Sequence, residues 1–345
     1  MVTALTVAAS LVLTTTPTAS AAAPWATESI PITSLSPTIR GNQTLAPAAI
    51  QRPQAPADSL RKKALKPVRY VGLTTCATPK RHICGPWHLW LVGGKVITLP
   101  DAQVRSIDPQ GREEAQRAPI SVDATGRYAA YVSTKSKILT VRSLATGKTT
   151  PIPGALPKDL AMSDVDLLIS PLGRYVVIDP TPGTRATTVI EVATGKHWSL
   201  PDYARVQGFS PHGSMLRVIL DFEETAVYEP GGPKPSGGTT VTGWGALASG
   251  GKTLAGAARE GKRVFIRFYA TSNAMESRNP IKLSIPAKND PRRLYWTSAT
   301  TLSLLTLRQP GTYVTRSINT KTGKARIVDR FTISPHTWDV HLAGE

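Results

Sequence analysis

Three stretches of this sequence repeat one pattern: Val122-Asp123-Ala124-Thr125-Gly126-Arg127-Tyr128-Ala129-Ala130-Tyr131, then Ile169-Ser170-Pro171-Leu172-Gly173-Arg174-Tyr175-Val176-Val177-Ile178, then Phe209-Ser210-Pro211-His212-Gly213-Ser214-Met215-Leu216-Arg217-Val218. Each is an apolar run, a short turn closed by Gly, and a second apolar run. An alternating segment follows: Ile138-Leu139-Thr140-Val141, Thr188-Val189-Ile190-Glu191-Val192 and Tyr313-Val314-Thr315-Arg316-Ser317-Ile318. A tight turn then closes into a last run, at Ala145-Thr146-Gly147-Lys148, Ala193-Thr194-Gly195-Lys196, Lys321-Thr322-Gly323-Lys324 and, more loosely, Val92-Gly93-Gly94-Lys95. Period-2, β-branched segments are strands with one or both faces buried. The turn Gly supplies the positive φ that a tight hairpin demands.

The turn glycines at 94, 147, 195 and 323, with weaker units placed near 232 and 280, are spaced by 53, 48, about 37, about 48 and about 43 residues. That is the length of a four-stranded propeller blade. Helical periodicity is nearly absent. The expected fold is therefore all-β: a β-propeller of six four-stranded blades, within a range of five to seven, over about residues 68–342. The first unit lacks an inner strand. The segment Phe331-Thr332-Ile333-Ser334-Pro335-His336 matches the inner-strand ending Phe209-Ser210-Pro211-His212, so the tail is expected to complete the first blade and remove the exposed sheet edge.

The Ser-Pro-x-Gly-x-Tyr…Thr-Gly-Lys grammar resembles bacterial WD40-like and TolB-like β-propeller repeats over about 270 residues. Those families usually place Asp before the turn Gly, where this chain has Thr125, Leu172, His212 and Gly250. The resemblance implies the fold and is nearly silent on activity.

Composition sets the compartment and the charge. The chain has 345 residues, 41 Lys+Arg against 23 Asp+Glu (net +18), and is 41% hydrophobic, too apolar for disorder and too polar for a membrane bundle. An apolar run from Ala4 to Leu13, followed by Ala19-Ser20-Ala21, reads as a signal peptide over residues 1–21. No Lys or Arg precedes that run, so the natural start is expected upstream of Met1. Residues 22–66 have the Pro/Ala/Ser/Thr composition of a linker, and residues 67–345 form the propeller domain. The mature chain is expected to be secreted, monomeric and without a transmembrane segment. In an exported chain Cys76 and Cys84 read as a disulfide, a short loop whose closure stabilises by roughly 2.5 kcal/mol. A zinc site is the weaker reading, because His82 and His88 match no metal spacing.

The sequence carries no complete catalytic motif. Gly243-Trp244-Gly245-Ala246-Leu247-Ala248 matches a dinucleotide fingerprint and Gly251-Lys252-Thr253 the end of a phosphate loop, but both need a helix to follow. Here another strand follows, so the reading is an inner strand and turn of blade five. There is no G-x-S-x-G elbow and no His pair spaced for a metal. No catalytic residue, metal or cofactor is assigned.

Charge carries more. Seven Lys/Arg and no acid lie between Arg61 and His82, and sixteen against four between residues 251 and 330. Such an excess favours anionic surfaces, and export makes cell-wall polymers a better match than DNA. The Ser-Pro-x-Gly and Thr-Gly-Lys turns share one face, so the variable loops gather on the other, where binding loops sit on rigid scaffolds. The expected binding residues are Asp221, Glu223 and Glu224 on one such loop, Lys288, Arg292 and Arg293 on another, and Arg61, Lys62 and Lys63 where the linker meets the first blade. The expected function is an exported, non-catalytic propeller that binds a protein or an anionic envelope polymer through its loop face. The alternative is a propeller-fold hydrolase, lactonase or lyase with a site at the central channel. Asp159, Asp164, Asp166 and Asp290 are the carboxylates considered for it.

Overall fold

The computed structural model describes residues 65–76, 82–180, 185–201, 204–220, 224–233, 239–240 and 244–345. Within them the chain makes six antiparallel four-stranded sheets, one extra hairpin, and two single-turn 3-10 helices at Met162–Asp164 and Pro171–Gly173. Blade 1 holds β1 (Val68–Cys76), β2 (His82–Leu91) and β3 (Val96–Leu99). The hairpin β4 (Arg105–Ile107) and β5 (Glu113–Arg117) follows. Blade 2 is β6 (Ile120–Val122), β7 (Tyr128–Val132), β8 (Leu139–Ser143) and β9 (Thr149–Ile152). Blade 3 is β10 (Val165–Ile169), β11 (Tyr175–Pro180), β12 (Thr188–Glu191) and β13 (His197–Ser199). Blade 4 is β14 (Ala204–Phe209), β15 (Leu216–Leu220), β16 (Glu224–Tyr228) and β17 (Thr239–Thr240). Blade 5 is β18 (Trp244–Leu247), β19 (Thr253–Glu260), β20 (Arg263–Ala270) and β21 (Glu276–Leu283). Blade 6 is β22 (Asp290–Ser298), β23 (Thr301–Gln309), β24 (Thr312–Asn319) and β25 (Ala325–Thr332). The last strand, β26 (Thr337–Leu342), pairs with β1 and gives blade 1 the order β26-β1-β2-β3.

The core lies between blades rather than within one. Trp87, Leu89 and Leu73 of blade 1 pack on Ile120, Val122 and Tyr131 of blade 2. Similar apolar clusters join blades 2 and 3, 3 and 4, and 5 and 6. The closing interface, blade 6 on blade 1, is built from Tyr70, Leu305 and Leu342. Tyr70 stacks on Trp90 and Phe331, and Arg69 is ion-paired to Asp329.

The glycine of each inner turn has a packing reason besides its φ. Gly126 (φ +67) lies against the backbone of Val68, and Gly173 (φ +66) against the ring of Tyr128. In both cases the turn of one blade presses on the preceding blade, where a Cβ would collide. The Ser-Pro-x-Gly signature thus encodes close approach between neighbouring blades.

Two expectations need correction. The turn placed near residue 280 lies instead at Thr271–Ala274, because Ala274 (φ 56) stands where the other blades have Gly; its N–H bonds to the Ala270 carbonyl as that of Gly147 bonds to Ser143. Residues 331–332 end the outer strand of blade 6, so the closing strand is the later segment Thr337–Leu342. His212 and His336 are consequently not equivalent positions. Arg69 is an interblade strut with its side chain 13% exposed. The register sets Cys76 opposite His82 and Cys84 opposite Thr74. The two thiols, like residues 1–21, Arg61, Lys62, Lys63, Asp221 and Glu223, lie outside the described residues. Among the described residues no helix is long and apolar enough to cross a membrane.

Candidate functional site

Strand direction alternates within each blade, so the first-to-second and third-to-fourth turns share one face. The second-to-third turns and the crossings to the next blade share the other. The crossings include the two long segments 100–119 and 153–164. They are clasped together where Ser106 and Ser163 both donate to the Glu114 carboxylate, at 2.6 and 2.9 Å. Ordering these loops holds β5 beside the channel.

The inner strands enclose a central cavity of about 420 Å³, lined among others by Arg117, Asp166, Asp179, Gln207, Arg292, Arg293 and His341. Arg292 and Arg293 are adjacent in sequence and would ordinarily face opposite sides of β22. The register runs Pro291↔Thr306 and then Arg293↔Leu305, leaving Arg292 as an extra residue. Such a bulge re-aims side chains, and both arginines line the cavity.

Their roles differ. Arg293 donates to the carbonyls of Ala343 and Gly344, and burial pushes its pKa below the ordinary arginine value. Gly344 (φ +83) bonds to the Val122 carbonyl, and a Cβ there would meet the Arg293 guanidinium and Ala124. Ser121 Oγ donates to the Glu345 carbonyl at 3.1 Å. Residues 343–345 are thus drawn across the turn-face end of the channel, with Arg293 as their clamp. Arg292 is exposed. The ion pairs at the cavity are Arg117–Asp339 (3.6 Å) and Arg205–Asp179 (3.8 Å), and Arg292 has no acidic side chain at ion-pair distance among the described residues.

Three further groups complete the wall. Asp339 sits at φ 47 where β26 bulges against β1, which turns its carboxylate to Arg117; burial raises its pKa. His341 has its Nε2 enclosed without a hydrogen-bond partner, and burial, with the nearby Arg117 charge, lowers its pKa to about 4. Asp166 and Asp179 are directly opposed across β10 and β11. Burial raises the pKa of Asp179, against a hydrogen bond from Thr187 and the charge of Arg205. Among the described residues no three His, Cys, Asp or Glu side chains are grouped to hold a metal ion.

The expected binding residues that are described do not form one site. Arg292 and Arg293 are in the channel. Lys288 lies on the crossing from blade 5 to blade 6 and lines a different cleft between those blades. Glu224 opens the third strand of blade 4, two strands out from the axis. Of the carboxylates considered for catalysis only Asp166 lines the channel; Asp159 pairs with Arg185 and Asp290 with Arg259. Sequence reasoning missed Arg117 and His341. The nearest signal for either was the closure argument, which implied that a tail strand would contribute to the wall.

The nucleotide look-alike has a structural explanation at the glycine that is described. Gly245 packs against the Arg217 guanidinium, with a Cβ position 2.9 Å from its Nη1, and Arg217 donates to the Gly245 carbonyl at 3.2 Å. The glycine makes room for a buried arginine between blades 4 and 5. A strand follows, as expected, and not a helix.

No family model matches the chain, and no curated protein sequence matches it. Among solved structures, it is similar to TolB from Acinetobacter baumannii at 15% identity and a TM-score of 0.43, covering 75% of this chain and 62% of that one. It is also similar to a chain of a nidogen/laminin complex, at 10% identity and 0.41, covering 78% and 95%. An oligogalacturonate lyase in complex with manganese gives 11% and 0.39, covering 79% and 76%.

Proposed function

We propose that this chain is an exported, monomeric β-propeller that binds, without catalysis, a protein or an anionic cell-envelope polymer through its loop face. The channel mouth is the point of engagement. The observation that carries the reading is Arg292: a cation aimed into the cavity by a bulge, with no acidic partner, beside an arginine already used to hold the chain. A low-dielectric cavity wall strengthens the attraction between opposite charges, so an acidic group of the ligand is the natural complement. The signal-like segment 1–21 and the net charge of +18 support export and an anionic environment. Arg61, Lys62 and Lys63 would add cations that follow an irregular surface.

The test is retention of the full chain on envelope material from the producing cell. Arg292→Glu should lower retention several-fold and steepen nothing in thermal unfolding, because exposed charges contribute little to folding. Unchanged retention would overturn the assignment of the mouth.

One observation favours the enzymatic alternative: the opposed Asp166 and Asp179 share the cavity with Arg117 and His341, and burial raises the pKa of Asp179, as suits a carboxyl group that donates a proton. That reading requires turnover of a glycan or ester substrate that Asp179→Asn abolishes.

A further inference from the structure

Away from the channel, the outer strands of blades 5 and 6 diverge into a cleft of about 620 Å³. Its charged lining is one-sided: Lys282 and Lys288 on the blade 5 side, and Arg308, Arg316, Arg326 and Arg330 on blade 6, with no acidic side chain. None of the six is ion-paired among the described residues. Five are exposed, but Arg316 is 7% exposed. It faces the cleft from the middle of β24, on the same face as Val314, which also lines the cleft, and Ile318, which packs with apolar residues of blade 5. Its guanidinium makes one hydrogen bond, from Nη1 to Thr306 Oγ1 at 2.7 Å; that hydroxyl in turn donates to the Val314 carbonyl. A guanidinium held in a cleft by a neutral hydroxyl lacks the counter-charge that a buried cation needs. Burial, and repulsion from Arg330, lower its pKa.

We infer that this cleft is a binding site for a linear chain of phosphate groups, with Arg316 at its floor. Exposed cations along a narrow cleft, with one recessed at its floor, suit a thin, flexible polyanion and not a wide duplex, whose phosphates lie on a stiff cylinder. Cations approach from both walls, as point charges on one side and planar forks on the other. A tetrahedral phosphate presents oxygens to both at once, whereas a planar carboxylate fills one fork. The site gives chemistry to the polymer arm of the functional reading, but it uses none of the channel residues.

Calorimetric titration of the full chain with short-chain inorganic polyphosphate tests this, with poly-glutamate and duplex DNA as comparators. With about four phosphates engaged, log Kd should rise with log salt at a slope of about 3. Arg316→Gln should weaken binding at least about tenfold. The exposed Arg330→Glu should do the same, and guards against a folding defect in the first variant. Arg292→Glu should leave polyphosphate binding unchanged, which separates this site from the channel mouth. Equal affinity for poly-glutamate or duplex DNA, or wild-type affinity in both cleft variants, would overturn the inference.

Discussion

His341 should make the fold sensitive to mild acid. Its imidazole lies edge-on to Trp87, at 6.3 Å between ring centroids, with Nε2 enclosed and unpartnered. Arg117, itself paired to Asp339, faces it, and Asp166, Asp179, Arg292 and Glu345 line the same cavity. The folded pKa is about 4 against an ordinary 6.5. Between those pH values the unfolded chain holds a proton that the folded chain refuses, so stability rises with pH across the window. The penalty is complete below about pH 4 and absent above about 6.5. At 1.36 kcal/mol per pKa unit the full window is worth about 3 kcal/mol, and partial solvent access to the ring reduces this to about 2. Asp123, Asp179 and Asp339, whose pKa values burial raises, act in the opposite sense: each favours the fold as pH falls through its range. The informative quantity is therefore a difference between proteins. Urea unfolding at pH 7.5 and pH 4.5 should show wild type losing about 2 kcal/mol more than His341→Phe over that interval. Parallel losses would refute the burial of a neutral imidazole in the channel wall.

Two substitutions test the reading of the turns. Ala274→Gly relieves a non-glycine residue at φ 56, and should raise stability by about 0.5–1 kcal/mol in chemical denaturation. Gly173→Ala drives a methyl into the Tyr128 ring, whereas Gly147→Ala finds open space; the first should cost at least about 2 kcal/mol and the second about 1.

The blades that were easiest to read are those whose turns are made by Gly and whose interfaces are apolar. Blades 4 and 5 read poorly for two local reasons. Arg217, buried between them with its Nε unpartnered, interrupts the apolar pattern of β15. Ala274 then hides the last turn of blade 5, because the left-handed conformation that Gly advertises is borne there by Ala. The hairpin Arg105–Arg117 was invisible as strand because its second arm, Glu113-Glu114-Ala115-Gln116-Arg117, has no apolar face. For the site, sequence named Arg292 and Arg293 as charges on a loop. It did not reveal the bulge that sends both inward, since bulges depend on the partner strand. Nor could it give radial position. Lys288 and Glu224 sit on the right face, but away from the axis, and no local pattern encodes distance from a channel. His341 and Arg117 meet across 224 positions of sequence, so only closure of the ring brings them together.

The claim that a ligand engages the channel mouth is best tested by site-specific photocrosslinking of the full chain. A photoreactive side chain at Gln207, exposed in the same cavity lining as Arg292, should yield a discrete adduct with envelope material, diminished as salt screens the Arg292 contact over roughly 8–10 Å. The same group at Lys148, exposed on the opposite face, should yield none. Equal adducts from both positions, or an adduct from Lys148 alone, would contradict the account.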